Sequence, residues 1–189
     1  VRESARTIVA RLVKRRIVYR LPIRINLHTR IVLITTALLI VPGTLLFYFF
    51  EYDNTLAEHN EFGKWVTAFF GAVTPRTAGF NTVDNAALKL HTIMIILLLM
   101  WIGASPGSTG GGIKTTTIFL ATLNFLSLAR SKDRVEFGKR EISNKSIRRA
   151  FAIISLSLIF IGLATFMITM FDPHLPFIQV AFECFSAYS

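Results

Sequence analysis

Two short stretches hold the residues best suited to chemistry: Arg76-Thr77-Ala78-Gly79-Phe80-Asn81 and Gly103–Lys114. The first contains no acid, so what it offers is backbone. A dehydrated monovalent cation needs several carbonyl oxygens of moderate field strength, not a full negative charge that would hold it too long. Gly79 can present such carbonyls without a side chain to obstruct them. Thr77, Ala78, Gly79, Phe80 and Asn81 therefore form the expected filter, with a monovalent cation at their backbone oxygens. Arg76 is expected to brace the loop through a hydrogen bond or an ion pair.

The second stretch carries Gly103, Ala104, Ser105, Gly107, Ser108, Thr109, Gly110, Gly111, Gly112 and a single charge, Lys114. A Gly-rich run ending in Lys invites a phosphate-binding reading. It departs from that pattern because Ile113 stands between Gly112 and Lys114 and no strand precedes it. Two readings remain. One is a flexible intramembrane gate, with Ser105, Ser108, Thr109 and Lys114 lining or obstructing an ion path, since an ionisable residue at membrane depth marks function. The other is a Gly-rich kink that lets helices pack closely.

Both stretches need apolar elements to hold them. Ile31–Phe50 is uncharged and long enough for about 30 Å of helix. Pro42-Gly43 makes a kink plausible within it, and Tyr48 and Tyr52 suit an aromatic belt at its far end. Lys64–Val73 is too short to cross; it reads as a pore helix entering halfway or as a helix lying flat on the surface. Thr74–Asn81 then returns, and such backbone is tolerated at depth only when buried in protein or lining water. Leu90–Leu128 would exceed a bilayer as one helix, so a broken span is expected, interrupted over Ala104–Thr117. Ala150–Phe171 is another uncharged span, and Pro176–Phe185 another short apolar segment.

Composition agrees with a membrane protein. The chain has 189 residues, 52% of them hydrophobic, with a mean hydropathy of +0.53 and a formal charge of +10. Residues 1–30 and 130–149 hold 17 of the 21 Lys and Arg. That places residues 1–30 and 129–149 in the cytoplasm. Glu51, Asp53, Glu58 and Glu61 lie on the outer side, either as ordinary loop acids or as a vestibule that concentrates cations. Residues 1–30 read as an amphipathic basic helix on the lipid surface or as a solvated connector. They show no compact h-region, so no signal peptide is expected. The Asn144-Lys145-Ser146 sequon falls on the cytoplasmic side and goes unused. A nucleic-acid partner is excluded by the long apolar runs. Cys184 stands alone, and the four histidines form no ligand cluster. Neither acid–base nor metal chemistry has its residues at membrane depth, so no enzyme is expected.

A shift of 113 residues overlays the two short apolar segments: Ala68-Phe69 falls on Ala181-Phe182, Gly71 on Cys184 and Arg76 on Ser189. The chain thus reads as one complete unit, residues 31–128, and about half of another, residues 150–189. Under this shift Glu183 takes the place of Phe70, and the acid is expected to pair with Arg76.

RTAGFN, GSTGGGIKT and FECFSAYS together resemble the Trk/Ktr/HKT superfamily of potassium transporters, most of all the ion-conducting subunit of the bacterial Ktr type. The resemblance covers essentially the whole chain. It implies an all-α membrane protein with four membrane–pore-loop–membrane repeats around one pseudo-fourfold cation pore. This chain would be the third repeat and the start of the fourth. It implies a homodimer of full-length subunits in the bacterial plasma membrane, seated on a cytoplasmic ring of nucleotide-binding regulatory subunits. K+ would be the transported ion, with no covalent cofactor and nucleotide acting only through the regulatory partner. Gly79 would be the filter glycine, whose change to Ser in some plant members goes with sodium selectivity. The broken span would be the gating loop. An inactive fragment or scaffold, or a sodium-conducting member, are the alternatives.

Overall fold

The computed structural model describes residues 26–131, 134–137 and 140–189. The basic segment 1–25 lies outside the described residues. Six α-helices account for most of the rest: α1 (Leu27–Glu51), α2 (Glu61–Val73), α3 (Leu90–Trp101), α4 (Thr115–Ala129), α5 (Asn144–Phe171) and α6 (Phe177–Tyr188). α1 packs against α2, α3 and α4, while α6 packs against α3 and α5.

α1 and α5 have 25 and 28 residues and are apolar enough to cross a membrane. Most of their apolar side chains face outward; Phe49 is 69% exposed and Phe171 74%. Hydroxyls in these helices fold back on the backbone four residues earlier. Thr35 and Thr44 donate to the Ile31 and Ile40 carbonyls at 2.8 Å, and Thr165 to Ile161 at 2.8 Å. Such self-satisfaction is what apolar surroundings demand. The assigned helix α1 continues through Pro42. The sequence-expected span 150–171 begins six residues earlier, because Ser143 caps α5 by accepting from the Lys145 N–H.

α2 begins at Glu61, where the Asn60 side chain accepts from the Gly63 N–H at 2.7 Å. Its first turn is tied to α1 by aromatic residues. Tyr48 and Tyr52 donate to the Glu61 carboxylate at 3.1 and 2.9 Å. Tyr48 stacks on Trp65 at 4.2 Å. Lys64 pairs with Glu61 at 3.3 Å and lies 3.6 Å over the Tyr52 ring. Further along, Gly71 brings α2 against the Phe47 ring of α1.

The apolar run after residue 90 is two helices. α3 and α4 are about 18 and 22 Å long, with residues 102–114 irregular between them. Thr115–Thr117 belongs to the first turn of α4 and not, as the sequence pattern suggested, to the loop 104–117. A second correction concerns the all-helical expectation. Between α4 and α5 lies a two-stranded ribbon, β1 (Glu136–Phe137) against β2 (Arg140–Glu141), antiparallel with Phe137 opposite Arg140. Phe137 packs edge-on against Phe119 of α4 at 4.9 Å, which gives the ribbon an apolar seat.

Two buried clusters hold the short helices. Phe47, Leu56, Ala68, Leu88, Ile96 and Met100 pack around the α1–α2–α3 junction. Ile161, Val180 and Cys184 join α5 to α6, with Trp101 at their edge. Trp101 Nε1 donates to Ser157 Oγ at 3.0 Å, so the end of α3 is fixed to α5 as well.

Candidate functional site

Thr74, just past α2, organises the return loop. Its carbonyl accepts from the Ala78 and Gly79 N–H groups, both at 3.1 Å. Its hydroxyl donates to the Phe80 carbonyl at 2.5 Å. Two residues in the loop have positive φ: Thr77 at 79° and Gly79 at 71°. For Gly79 this is free; for a β-branched Thr it costs about 1–3 kcal/mol and persists only where the surroundings enforce it. Thr77 is held by its hydroxyl, which donates to the Ser189 carbonyl at 3.0 Å. Among the described residues the carbonyls of Thr77, Ala78 and Gly79 accept no hydrogen bond. All of Thr77–Asn81 is exposed.

The second short helix reaches the same place. Ser189, following α6, donates through Oγ to the Pro75 carbonyl at 2.9 Å. The C-terminal ends of α2 and α6 therefore meet at Pro75–Thr77. A helix C-terminus carries about half a negative elementary charge. The α2 end thus contributes a diffuse negative field here without any carboxylate.

The Gly-rich loop lies against this junction. Arg76 donates through Nη2 to the Gly103 carbonyl at 3.0 Å, while its Nε is buried with no partner among the described residues. A Cβ on Gly110 would stand 2.8 Å from Thr77 Oγ1, and one on Gly111 would strike the Ser189 carbonyl. The Gly112 N–H donates to the Tyr188 carbonyl at 3.0 Å, and the Ile113 N–H to Trp101 at 2.9 Å. Lys114 turns back to the Gly110 carbonyl. Gly103 and Ile113 are buried; Ala104, Ser105, Gly110, Gly111, Gly112 and Lys114 are half-buried; Gly107, Ser108 and Thr109 are exposed. The loop thus has a packed base and an open tip.

The expected Arg76–Glu183 pair does not form. Arg76 goes to Gly103, and Glu183 is exposed on α6. The buried residues of α6 are Val180, Ala181 and Cys184; residue 183 sits about 100° around the helix from Cys184. Glu183 instead lines a cavity of about 620 Å³ with Asn85, Ile93, Ile168 and Gln179.

Two residues escaped the sequence reading. Thr74 is one. The other is Glu51, read as a loop acid but fully buried at the end of α1. One carboxylate oxygen accepts from the Lys89 N–H at 2.9 Å and Thr92 Oγ1 at 2.5 Å. The other accepts from Asn54 Nδ2 at 2.6 Å and Thr55 Oγ1 at 3.0 Å. Lys89 gives α3 no side-chain cap of its own. Glu51 supplies that cap from another helix, and so fixes the far end of the return segment. An acid directly after an apolar span was the only sequence signal for it.

Residues 17–189 match the family described as TrkH, cation transport protein. The chain belongs to the TrkH family of cation transport proteins. It is therefore read as part of a membrane transporter and not as an enzyme. It is 38% identical over 170 residues to the Ktr system potassium uptake protein B of Vibrio alginolyticus, covering 87% of this chain and 36% of that protein. The protein of the same description in Bacillus subtilis is 37% identical over 165 residues, with 86% and 37% covered. The potassium/sodium uptake protein NtpJ of Enterococcus hirae is 33% identical over 169 residues, with 87% and 38% covered. The chain spans just over a third of the length of these relatives. The crystal structure of the potassium transporter TrkH from Vibrio parahaemolyticus superposes with a TM-score of 0.63 over 77% of this chain and 31% of that one, at 20% identity. That likeness is one of fold.

Proposed function

We propose that this chain is part of the ion-conducting subunit of a potassium-uptake transporter: one membrane–pore–membrane unit and the start of the next. The observation that carries this is the junction at Pro75–Thr77. Two short-helix C-termini meet there beside unengaged carbonyls, and a Gly-rich loop is packed against them. The carbonyls of Thr77, Ala78 and Gly79, bounded by Phe80 and Asn81, take the place of water around K+. The loop Gly103–Lys114 gates the path below them.

The internal repeat draws support from burial. Val180, Ala181 and Cys184, the buried residues of α6, fall under the 113-residue shift on Thr67, Ala68 and Gly71, all buried in α2. Three of the relatives carry potassium uptake in their descriptions. By the same reading four such units enclose one pseudo-fourfold pore, and the full subunit forms a dimer in the plasma membrane. Residues 1–30 and 129–149 face the cytoplasm, where a nucleotide-binding regulatory ring docks.

The test is K+ and Na+ uptake by transport-deficient cells carrying the whole transporter. Gly79→Ser must adopt a left-handed φ that costs an L residue roughly 1–2 kcal/mol, and it is expected to lose K+ preference. Deleting Ala104–Gly112 is expected to raise K+ flux. Unaltered selectivity in correctly assembled Gly79→Ser protein overturns the filter placement; unaltered or lower flux in the folded deletion overturns the gate.

A further inference from the structure

We propose that Thr74 is a positioning residue for cation selectivity: its hydroxyl and carbonyl together hold the carbonyls that follow in the orientation that K+ requires. The inference rests on the filter reading above and goes beyond it, since Thr74 stands outside the filter and does not touch the ion.

The geometry is local and complete. Between α2 and Gly79 the backbone makes a tight turn in which one residue, Thr74, receives two N–H groups, those of Ala78 and Gly79. Those two peptides carry the carbonyls of Thr77 and Ala78. Anchoring their N–H groups to Thr74 turns the Thr77 and Ala78 oxygens to the opposite side, because N–H and C=O of one peptide point opposite ways. The Thr74 hydroxyl then reaches across the turn to the Phe80 carbonyl at 2.5 Å. It therefore fixes the Phe80–Asn81 peptide, the first after the filter glycine's own. Gly79 lies between these two attachments and has nothing within 4 Å of a Cβ position. No side chain packs at that position, and the Gly79 N–H is held by the Thr74 carbonyl.

The hydroxyl is also the only one of these attachments that a side-chain change can remove. Thr74→Val keeps the shape and the backbone bonds and deletes the bond to Phe80. Thr74→Ser keeps the hydroxyl. A hydrogen bond of ordinary strength corresponds to roughly a fivefold change in an equilibrium. If its loss falls on the K+-bound geometry alone, the K+/Na+ uptake ratio drops by about that factor.

The experiment measures K+ and Na+ uptake by the whole transporter, with membrane abundance normalised, for the wild type, Thr74→Val, Thr74→Ser and Gly79→Ser. The expected result is a ratio reduced about fivefold in Thr74→Val and kept in Thr74→Ser. A merely structural role would lower uptake of both ions together and leave the ratio unchanged; that result overturns the proposal. If Thr74→Val does not assemble, Thr74→Ala and Thr74→Ser are compared in the same way, and an equal ratio in the two overturns it. Gly79→Ser separates the two levels. A changed ratio there with an unchanged one in Thr74→Val refutes the role of Thr74 alone. No change in either refutes the filter placement itself.

Discussion

Replacing Glu51 tests whether the return segment is held from a distance. The carboxylate is fully buried and serves four donors. They are not equal. Asn54 and Thr55 are half-buried and can turn to water. Thr92 is completely buried, and the Lys89 N–H is at the start of α3, where an unserved donor is normal only if water reaches it. In Glu51→Ala, Thr92 Oγ1 and the Lys89 N–H both lose their acceptor. Lys89 is exposed and its N–H can turn to water; at about 1–3 kcal/mol for the stranded Thr92 hydroxyl, with the cavity adding to it, the cost is roughly 2–4 kcal/mol. Glu51→Gln keeps one acceptor oxygen and turns an amide towards the remaining donors, so the cost is smaller, about 1–2 kcal/mol. Adding Thr92→Val to Glu51→Gln removes a donor that the amide cannot serve and is expected to recover part of the loss. The assay is thermal unfolding of the whole transporter in detergent, read as a double-mutant cycle. Equal stability of Glu51→Ala and wild type, or strict additivity of Glu51→Gln and Thr92→Val, would refute the capping argument.

Three further outcomes are expected. The Tyr52 hydroxyl and then Lys64 hold the Glu61 carboxyl below its usual range. Its contribution to stability is therefore present at neutral pH and is lost as pH falls through the carboxylate range, below about pH 4.5; a wild-type advantage over Glu61→Gln that grows on acidification contradicts this. Gly110→Ala pushes a methyl towards Thr77 Oγ1 and Ala104, loosening the base of the loop, and uptake assays are expected to show higher K+ flux at equal abundance. Glu183→Gln, at an exposed position, is expected to change stability by no more than about 0.5 kcal/mol and to leave uptake unaltered, in contrast to Arg76→Gln, which strands the Gly103 carbonyl and lowers both.

The apolar helices were legible because lipid-like surroundings impose a simple rule on composition: no charge for twenty residues and basic flanks. The interruption after Trp101 was legible for the same reason, as a run of Gly, Ser and Thr cannot propagate an apolar helix. Its C-terminal edge was not. Thr115–Thr117 looks like more of the loop, yet Lys114 bonding back to Gly110 lets the helix start directly after it. The ribbon of Glu136–Phe137 and Arg140–Glu141 was not legible because two-residue strands leave no periodicity. The partner of Arg76 was misread for a deeper reason. The repeat shift compares positions along two helices, but pairing depends on which side of α6 faces the loop. Val180 and Cys184 pack against Ile161 of α5, and Glu183 falls on an exposed side of α6. Glu51 was missed because hydrogen-bond donors 38 and 41 residues away define its role.

The charge balance at the junction argues for backbone, not side chains, as the cation ligand. The C-terminus of α2 amounts to about half a negative elementary charge. Arg76 brings one positive charge to the same place, half-buried and bonded to Gly103. The two partly offset one another, which on the proposed reading keeps the site from trapping a cation. A carboxylate there would bind Arg76 and close the site; the absence of an acid from Thr74–Asn81 keeps the field moderate. The positive groups that are present, Arg76 and Lys114, both end on carbonyls of the Gly-rich loop. Of the two, only Lys114 belongs to that loop, so its charge alone would move with it. On the proposed reading, a cation passing the packed loop meets the Lys114 charge, and at an effective dielectric of 20 one unit charge at 4 Å costs about 4 kcal/mol. On the proposed gate reading, withdrawal of the loop would remove the steric plug and the Lys114 charge together, so one motion would open the path.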